Sequence, residues 1–121
     1  MLSKKYRLSS KDVEAVLQKG RKHCQGMFYF KFAPNGLAYS RFAFIVSRKV
    51  AKNAVKRHQI KRRLSEITRV DLKYFPQGFD IAIISRPMIA QKKFIEIKME
   101  MEKAIGKLSQ ISKVKFNGNE G

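Results

Sequence analysis

Phenylalanine at every second position, Phe28, Phe30 and Phe32, constrains the fold of this chain more than any other feature. Successive side chains of a strand point to opposite faces, so the three rings share one side and Met27, Tyr29 and Lys31 take the other. A second run, about Tyr39 to Ser47, alternates again, with Phe42, Phe44 and Val46 set against Arg41, Ala43, Ile45 and Ser47. Two strands with an aromatic-rich core face are therefore expected. Between them, Pro34-Asn35-Gly36 carries turn chemistry, and Asn-Gly tolerates the positive φ that a tight hairpin needs. The opposite face, with Tyr29, Lys31 and Arg41, is left to solvent or to a ligand.

Helical patterns flank these strands. Ser9 and Ser10 are N-cap candidates, Asp12 and Glu14 suit a first turn, Val13, Val16 and Leu17 recur at i, i+3 and i+4, and Gly20 makes a stop. From about Asn53 to Arg69, Ile60, Leu64 and Ile67 form one stripe at about 100° per residue. His58, Lys61, Arg62 and Arg69 project away from it, with Arg57 on its shoulder. Asp80 opens the continuous apolar run Ile81-Ala82-Ile83-Ile84, suited to a sheet interior, and Arg86-Pro87 ends it. A last helix, about Ile89 to Leu108, puts Phe94, Ile97, Met101, Ile105 and Leu108 on one face. Its outer face mixes Lys92, Lys93, Glu96, Glu100, Glu102 and Lys103. The pattern implies a single α+β sandwich over residues 1–110, with a frayed tail at 111–121.

Charge is distributed unevenly over this frame. The 121 residues carry 27 Lys+Arg and 9 Asp+Glu, a net of +18. Residues 1–70 hold 18 cations and 3 acids, whereas residues 71–121 hold 9 and 6. Between Arg41 and Arg69 there are ten cations and one acid, Glu66. With 44% hydrophobic residues the chain has material for a core, so the charge reads as the footprint of a polyanion, nucleic acid before an anionic membrane. The like-charged pairs Arg57–Lys61 and His58–Arg62 (when His58 is protonated) repel at i, i+4, a cost that a bound polyanion relieves.

Several classes drop out. Cys24 is the only cysteine, so no intrachain disulfide forms, and a reducing, cytoplasmic setting is expected. One Cys with His23 and His58 does not make a zinc site of the usual kind. The longest apolar runs fall far short of the roughly 20 residues of a bilayer helix, and no apolar segment of a secretory signal follows the basic N-terminal residues. A self-contained nuclease would need clustered acids, but Asp12, Glu14, Glu66, Asp71 and Asp80 form no short paired motif. His58 stands among cations with no carboxylate to orient it. Membrane-surface binding would want bulky apolar residues beside the basic ridge, and Ile60, Leu64 and Ile67 are better used in the core.

The segment from Ser47 to Leu64, Ser-Arg-Lys-Val-Ala-Lys-Asn-Ala-Val-Lys-Arg-His-Gln-Ile-Lys-Arg-Arg-Leu, closely resembles the signature of the protein subunits of bacterial ribonuclease P. The likeness extends over about residues 4–108 and includes Tyr6-Arg7-Leu8, Gly78-Phe79-Asp80 and Ser85-Arg86-Pro87. It implies an α-β-β-β-α-β-α sandwich with an about four-stranded mixed sheet, similar to the second domain of a small-subunit ribosomal protein. It also implies a left-handed crossover around the basic helix. The implied job is to assist a catalytic RNA in removing the 5′ leader of precursor tRNA, with Mg²⁺ held by the RNA and no metal or catalytic residue in this chain. The implied partners are that RNA and precursor tRNA, with no membrane and no obligate protein partner.

Carried over by position, the resemblance assigns RNA contact to Asn53, Arg57, Lys61 and Arg62, with Arg48 and Lys49 at the end of the preceding strand; Lys52, Lys56, His58, Gln59 and Arg69, on the same cationic segment, are expected to join them. Where the family motif reads Arg-Asn-Arg, this chain has Arg57-His58-Gln59, and Gln59 lacks the charge and fork of arginine. Lys52 stands where the family usually has Gly and restores a charge. The leader cleft implied between the first helix and the sheet would use Val13, Leu17, Tyr29 and Lys31. At Val13 and Leu17 relatives often carry Phe, so apolar contact remains without aromatic stacking. A ribosomal-type structural RNA-binding protein would share this composition and salt dependence but would not stimulate precursor-tRNA cleavage. The Asn53–Arg62 spacing after a strand favours the ribonuclease P reading.

Overall fold

The computed structural model describes residues 2–115. Its elements run α1 (Ser10–Lys19), β1 (Arg21–Gln25), β2 (Phe28–Pro34), β3 (Arg41–Ile45), α2 (Ala54–Val70), β4 (Phe79–Ser85) and α3 (Phe94–Lys115). Short 3₁₀ turns cover Lys4–Tyr6, Leu72–Tyr74 and Pro87–Gln91. This is the expected α+β sandwich in the order α-β-β-β-α-β-α. The strands form one mixed sheet in the order β1-β2-β4-β3. β1–β2 and β2–β4 are antiparallel and β3–β4 is parallel, so α2 is the crossover that a parallel neighbour requires.

Register explains why the core forms where it does. Phe30 pairs with Ile83, Phe32 with Ile81, and on the other side of β4 Phe42 pairs with Ile81 and Phe44 with Ile83. Phe28, Phe30, Phe32, Phe42, Ile81 and Ile83 are all buried on this face. Onto it fold Ile60, Leu64 and Ile67 of α2 and Ile97, Met101, Ala104, Ile105 and Leu108 of α3. Each large side chain so buried contributes about 1.5–3 kcal/mol relative to exposure. Ser65 and Thr68 widen the α2 stripe, and the Ser65 hydroxyl accepts a 3.1 Å bond from the Leu2 amide, seating Leu2 in the core.

α1 packs on β2 and β4 from the other face. Its seat is Val16, buried like Ala82 of β4, while Val13 and Leu17 are half-buried. Ser9 caps the helix by accepting from the Asp12 amide at 3.3 Å. Arg41 locks it to the sheet: its guanidinium donates to both Asp80 oxygens at 2.9 and 2.8 Å and lies 3.4 Å from Asp12. The Asp80 bond holds the Arg41 pKa above its usual value.

Four expectations are corrected. The two Phe strands do not form a hairpin through Pro34-Asn35-Gly36, because β4, the most apolar strand, takes the centre between them. Gly36 does adopt φ 74°, but Asn35 serves a longer connection, donating to Asp80 at 2.9 Å and to the Tyr39 carbonyl at 3.2 Å. Met27, expected on the outer face, is buried because it lies in the β1–β2 turn, so the alternation starts only at Phe28. The last helix begins at Phe94, not Ile89. Ile89 reaches the core from the 3₁₀ turn and Phe94 is exposed, because the Glu96 side chain caps the helix start by accepting from the Lys93 amide at 2.8 Å. At its other end α3 runs to Lys115, so 111–115 of the expected tail continue the helix, and 116–121 lie outside the described residues.

β1, the third strand that the resemblance implied ahead of the basic helix, carries no apolar alternation, so the residue pattern did not place it. As an edge strand it has no residue that must be buried, and its side chains alternate between half-buried and exposed.

Candidate nucleic-acid interface

The turn from Ser47 to Asn53 delivers the chain from β3 into α2 and is built on one apolar anchor. Val50 is buried, and its amide donates to the Ser47 carbonyl at 3.0 Å. That anchor leaves Arg48, Lys49 and Lys52 exposed around one shallow depression. Asn53 is the N-cap of α2, its Oδ1 accepting from the Val55 amide at 2.7 Å and the Lys56 amide at 3.4 Å. Arg57 reaches back from the first turn, where Nη1 donates to the Ala51 carbonyl at 3.0 Å and the Lys52 carbonyl at 2.8 Å. Asn53 and Arg57, both expected to contact RNA, thus also build the turn that holds Arg48, Lys49 and Lys52. The positive end of the α2 dipole opens onto the same cations.

Along the helix, His58, Gln59 and Arg62 are exposed, whereas Lys56 and Lys61 are half-buried. Lys61, expected to point away from the stripe, sits at its margin because Ser65 and Thr68 extend the buried face. Arg63, which was not among the expected contacts, is also exposed. Its place on the shoulder opposite Arg57 was available from the helical wheel. None of Arg48, Lys49, Lys52, Lys56, Arg57, Lys61, Arg62 and Arg63 has an acidic partner among the described residues.

Two other arginines differ. Arg69 is paired with Glu66, Nη2 to Oε1 at 2.5 Å, a bond that holds the Glu66 carboxyl below the usual carboxylate range and raises Arg69. Arg41, left open at the sequence level as solvated or ligand-facing, is closed by Asp80 and Asp12. Both spend their charge within the fold.

The second candidate region lies under α1. Tyr29 and Lys31 are half-buried on the face that carries α1, on which Val13 and Leu17 are half-buried as well. The pairing of β1 adds what the sequence reading lacked: Lys22 stands directly opposite Lys31, and Cys24 opposite Tyr29. The Lys22 ammonium lies 4.9 Å from the centroid of the Tyr29 ring. Like charges directly across a ladder destabilise it, so this aromatic and cationic patch also favours an anion above it.

No group of three or more His, Cys, Asp and Glu among the described residues could hold a metal ion. No helix there is long and apolar enough to cross a membrane.

Comparison with known proteins gives one answer. Residues 2–109 match the family model described as Ribonuclease P. The ribonuclease P protein component of Petrotoga mobilis is 36% identical over 110 residues, covering 87% of this chain and 92% of that one. That of Dehalococcoides mccartyi is 37% identical over 98 residues, covering 81% and 79%. Among solved structures, the RNase P protein from Thermotoga maritima superposes with a TM-score of 0.77 at 27% identity, covering 84% of this chain and 96% of that one. The Staphylococcus aureus RNase P protein gives 0.76 at 25% identity, covering 88% and 96%. A four-stranded sheet crossed by a half-buried basic helix, a cationic turn ahead of it and a match over residues 2–109 place this chain in the ribonuclease P protein family.

Proposed function

We propose that this chain binds the catalytic RNA of ribonuclease P through Arg48 to Arg63 and holds the 5′ leader of precursor tRNA against β2 and α1. The observation that carries the reading is the row of cations on α2 and its leading turn, fixed by a buried stripe on one side and lacking acidic partners on the other. Phosphate is the natural counter-charge for such a row, and each neutralised phosphate releases counterions. Asn53 and Arg57 set the backbone from which Arg48, Lys49 and Lys52 project. The exposed side chains of His58, Gln59, Arg62 and Arg63 continue the contact along the helix. In the leader cleft, Val13 and Leu17 supply apolar contact, Tyr29 a ring face, and Lys22 and Lys31 charge.

The chemistry is assigned to the RNA, whose Mg²⁺ ions activate water and stabilise the phosphate displacement. The protein's part is to raise affinity for substrate and to lower the charge density around the cleavage site. Such work belongs to the cytoplasm, where precursor tRNA is made.

The test is reconstitution. Mixed with a bacterial ribonuclease P RNA at low Mg²⁺, the protein is expected to stimulate cleavage of precursor tRNA at the 5′ end of the mature sequence. Binding without stimulation would return the chain to a purely structural RNA-binding role.

A further inference from the structure

A concave feature lies outside both regions above. A groove of about 390 Å³ runs between the 3₁₀ turn Lys4–Tyr6, the residues leading into β3 and the C-terminal end of α2, lined by Tyr6, Tyr39, Ser40, Arg69, Lys73 and Gln77. It is at the far end of α2 from Asn53, about 24 Å away at 1.5 Å per residue.

Tyrosine rings line it, and two lysines, Lys73 of its wall and Lys5 beside it, rest on ring faces. Tyr6 and Tyr39 meet edge to face, with centroids 5.8 Å apart and planes at 88°. The Lys5 ammonium sits in the corner they make, 4.5 Å from the Tyr39 centroid and 5.4 Å from that of Tyr6. Lys73 rests in the same manner 5.2 Å from the Tyr74 ring. Neither lysine has an acidic partner among the described residues. The floor is rigid: buried Ser40 accepts from the Phe79 amide at 3.0 Å and donates to the Pro76 carbonyl. Gln77 uses its Nε2 on the Phe75 carbonyl at 3.3 Å. Arg69, tied to Glu66, forms wall rather than free charge.

We propose that this groove receives one unpaired nucleotide of an RNA strand, its base against the Tyr6 and Tyr39 rings and its phosphate taken by Lys5 and Lys73. The inference rests on the reading of the chain as an RNA-binding subunit and adds a second contact remote from the first. Every base has a π face, so a tyrosine pair accepts it without regard to sequence. A cation held only by ring faces exchanges readily onto a phosphate, which is the stronger partner. Exposed Lys4 and Arg7 flank the Lys5-Tyr6 pair in the chain, so a strand fits better than a lone nucleotide.

The chain has no Trp and four Tyr, so tyrosine fluorescence reports binding at the rings, and mapped adducts separate Tyr6 and Tyr39 from Tyr29. The full chain is titrated with hexauridylate, and the 4-thiouridine form of the hexamer is photocrosslinked and mapped. The expected result is a quench with adducts on Tyr6 or Tyr39, and roughly tenfold weaker binding in Tyr39→Leu. If Tyr39→Leu proves unfolded by circular dichroism, Lys5→Gln with Lys73→Gln carries the test, since both side chains are exposed and the same weakening is expected. Adducts confined to β2 or α2, or binding unchanged in the folded variants, would overturn the assignment. This readout needs no ribonuclease P RNA, so a failure here is separate from a failure to stimulate precursor-tRNA cleavage.

Discussion

Helices α2 and α3 lie on the same face of the sheet and bury similar stripes, yet their outer faces are opposites. On α3 charge is balanced in number, Lys98, Lys103 and Lys107 against Glu96, Glu100 and Glu102 up to residue 111, and Lys98 pairs with Glu102 at 2.8 Å. On α2 the cations from Lys56 to Arg63 have no acidic partner among the described residues, and the Glu66–Arg69 pair falls at the other end. Burial therefore does not separate a structural helix from the helix proposed to bind RNA. Unbalanced charge does, because a fold gains nothing from repelling side chains unless something outside it relieves them.

If the two helices are equal inside, they should cost alike to hollow out. Leu64→Ala and Met101→Ala, both at fully buried positions, are each expected to lose about 2–5 kcal/mol in urea unfolding. A loss far smaller on α2 would mean that its stripe is not the core contact described. Next in size is Arg41, a cation outside the binding set. Arg41→Ala leaves Asp80 with only the Asn35 amide and should cost about 2–3 kcal/mol, below the roughly 3–5 of a fully buried pair because Asn35 still donates, while leaving the salt dependence of RNA binding as it was. A changed salt slope would move Arg41 into the interface.

Arg57 sharpens the contrast, because it belongs to both categories. Arg57→Lys keeps the charge but loses the reach and fixed direction with which Nη1 grips the Ala51 and Lys52 carbonyls. It should lower stability by about 1 kcal/mol with the salt slope retained, whereas Arg57→Ala should lose both. Equal stability of Arg57→Lys and the parent would show that the grip on the turn contributes nothing.

These cases also show which parts of the molecule were legible in the amino-acid sequence. The Phe alternation, the Ile60-Leu64-Ile67 stripe and the apolar run after Asp80 gave strands and helix directly, because each must be buried. The strand order was not legible, since Asn35-Gly36 suits a loop as well as a hairpin and only the central place of β4 decides. The family resemblance implied a third strand ahead of α2, but no residue pattern placed β1, because an edge strand of Arg, Lys, His, Cys and Gln has no buried face to write into the sequence. That gap hid Lys22, and with it half of the charge beside Tyr29. Within the candidate interface, position on the helix was legible but partnership was not. Nothing in the spacing tells Arg69, closed by Glu66, from Arg62, or reveals that Arg57 faces two carbonyls. The groove at Tyr6 and Tyr39 joins residues more than thirty positions apart and could only be found in three dimensions.

The central claim, that α2 and not α3 meets RNA, is tested most directly by the salt dependence of binding to a ribonuclease P RNA. Arg62→Ala with Arg63→Ala on α2 is compared with Lys103→Ala and Lys107→Ala on α3, all four side chains being exposed. The α2 pair should flatten the log–log slope by about 1.4–1.8, roughly 0.7–0.9 for each phosphate no longer neutralised, and the α3 pair should leave it unchanged. An unaltered slope for the α2 pair, or an equal flattening from the α3 pair, would contradict it.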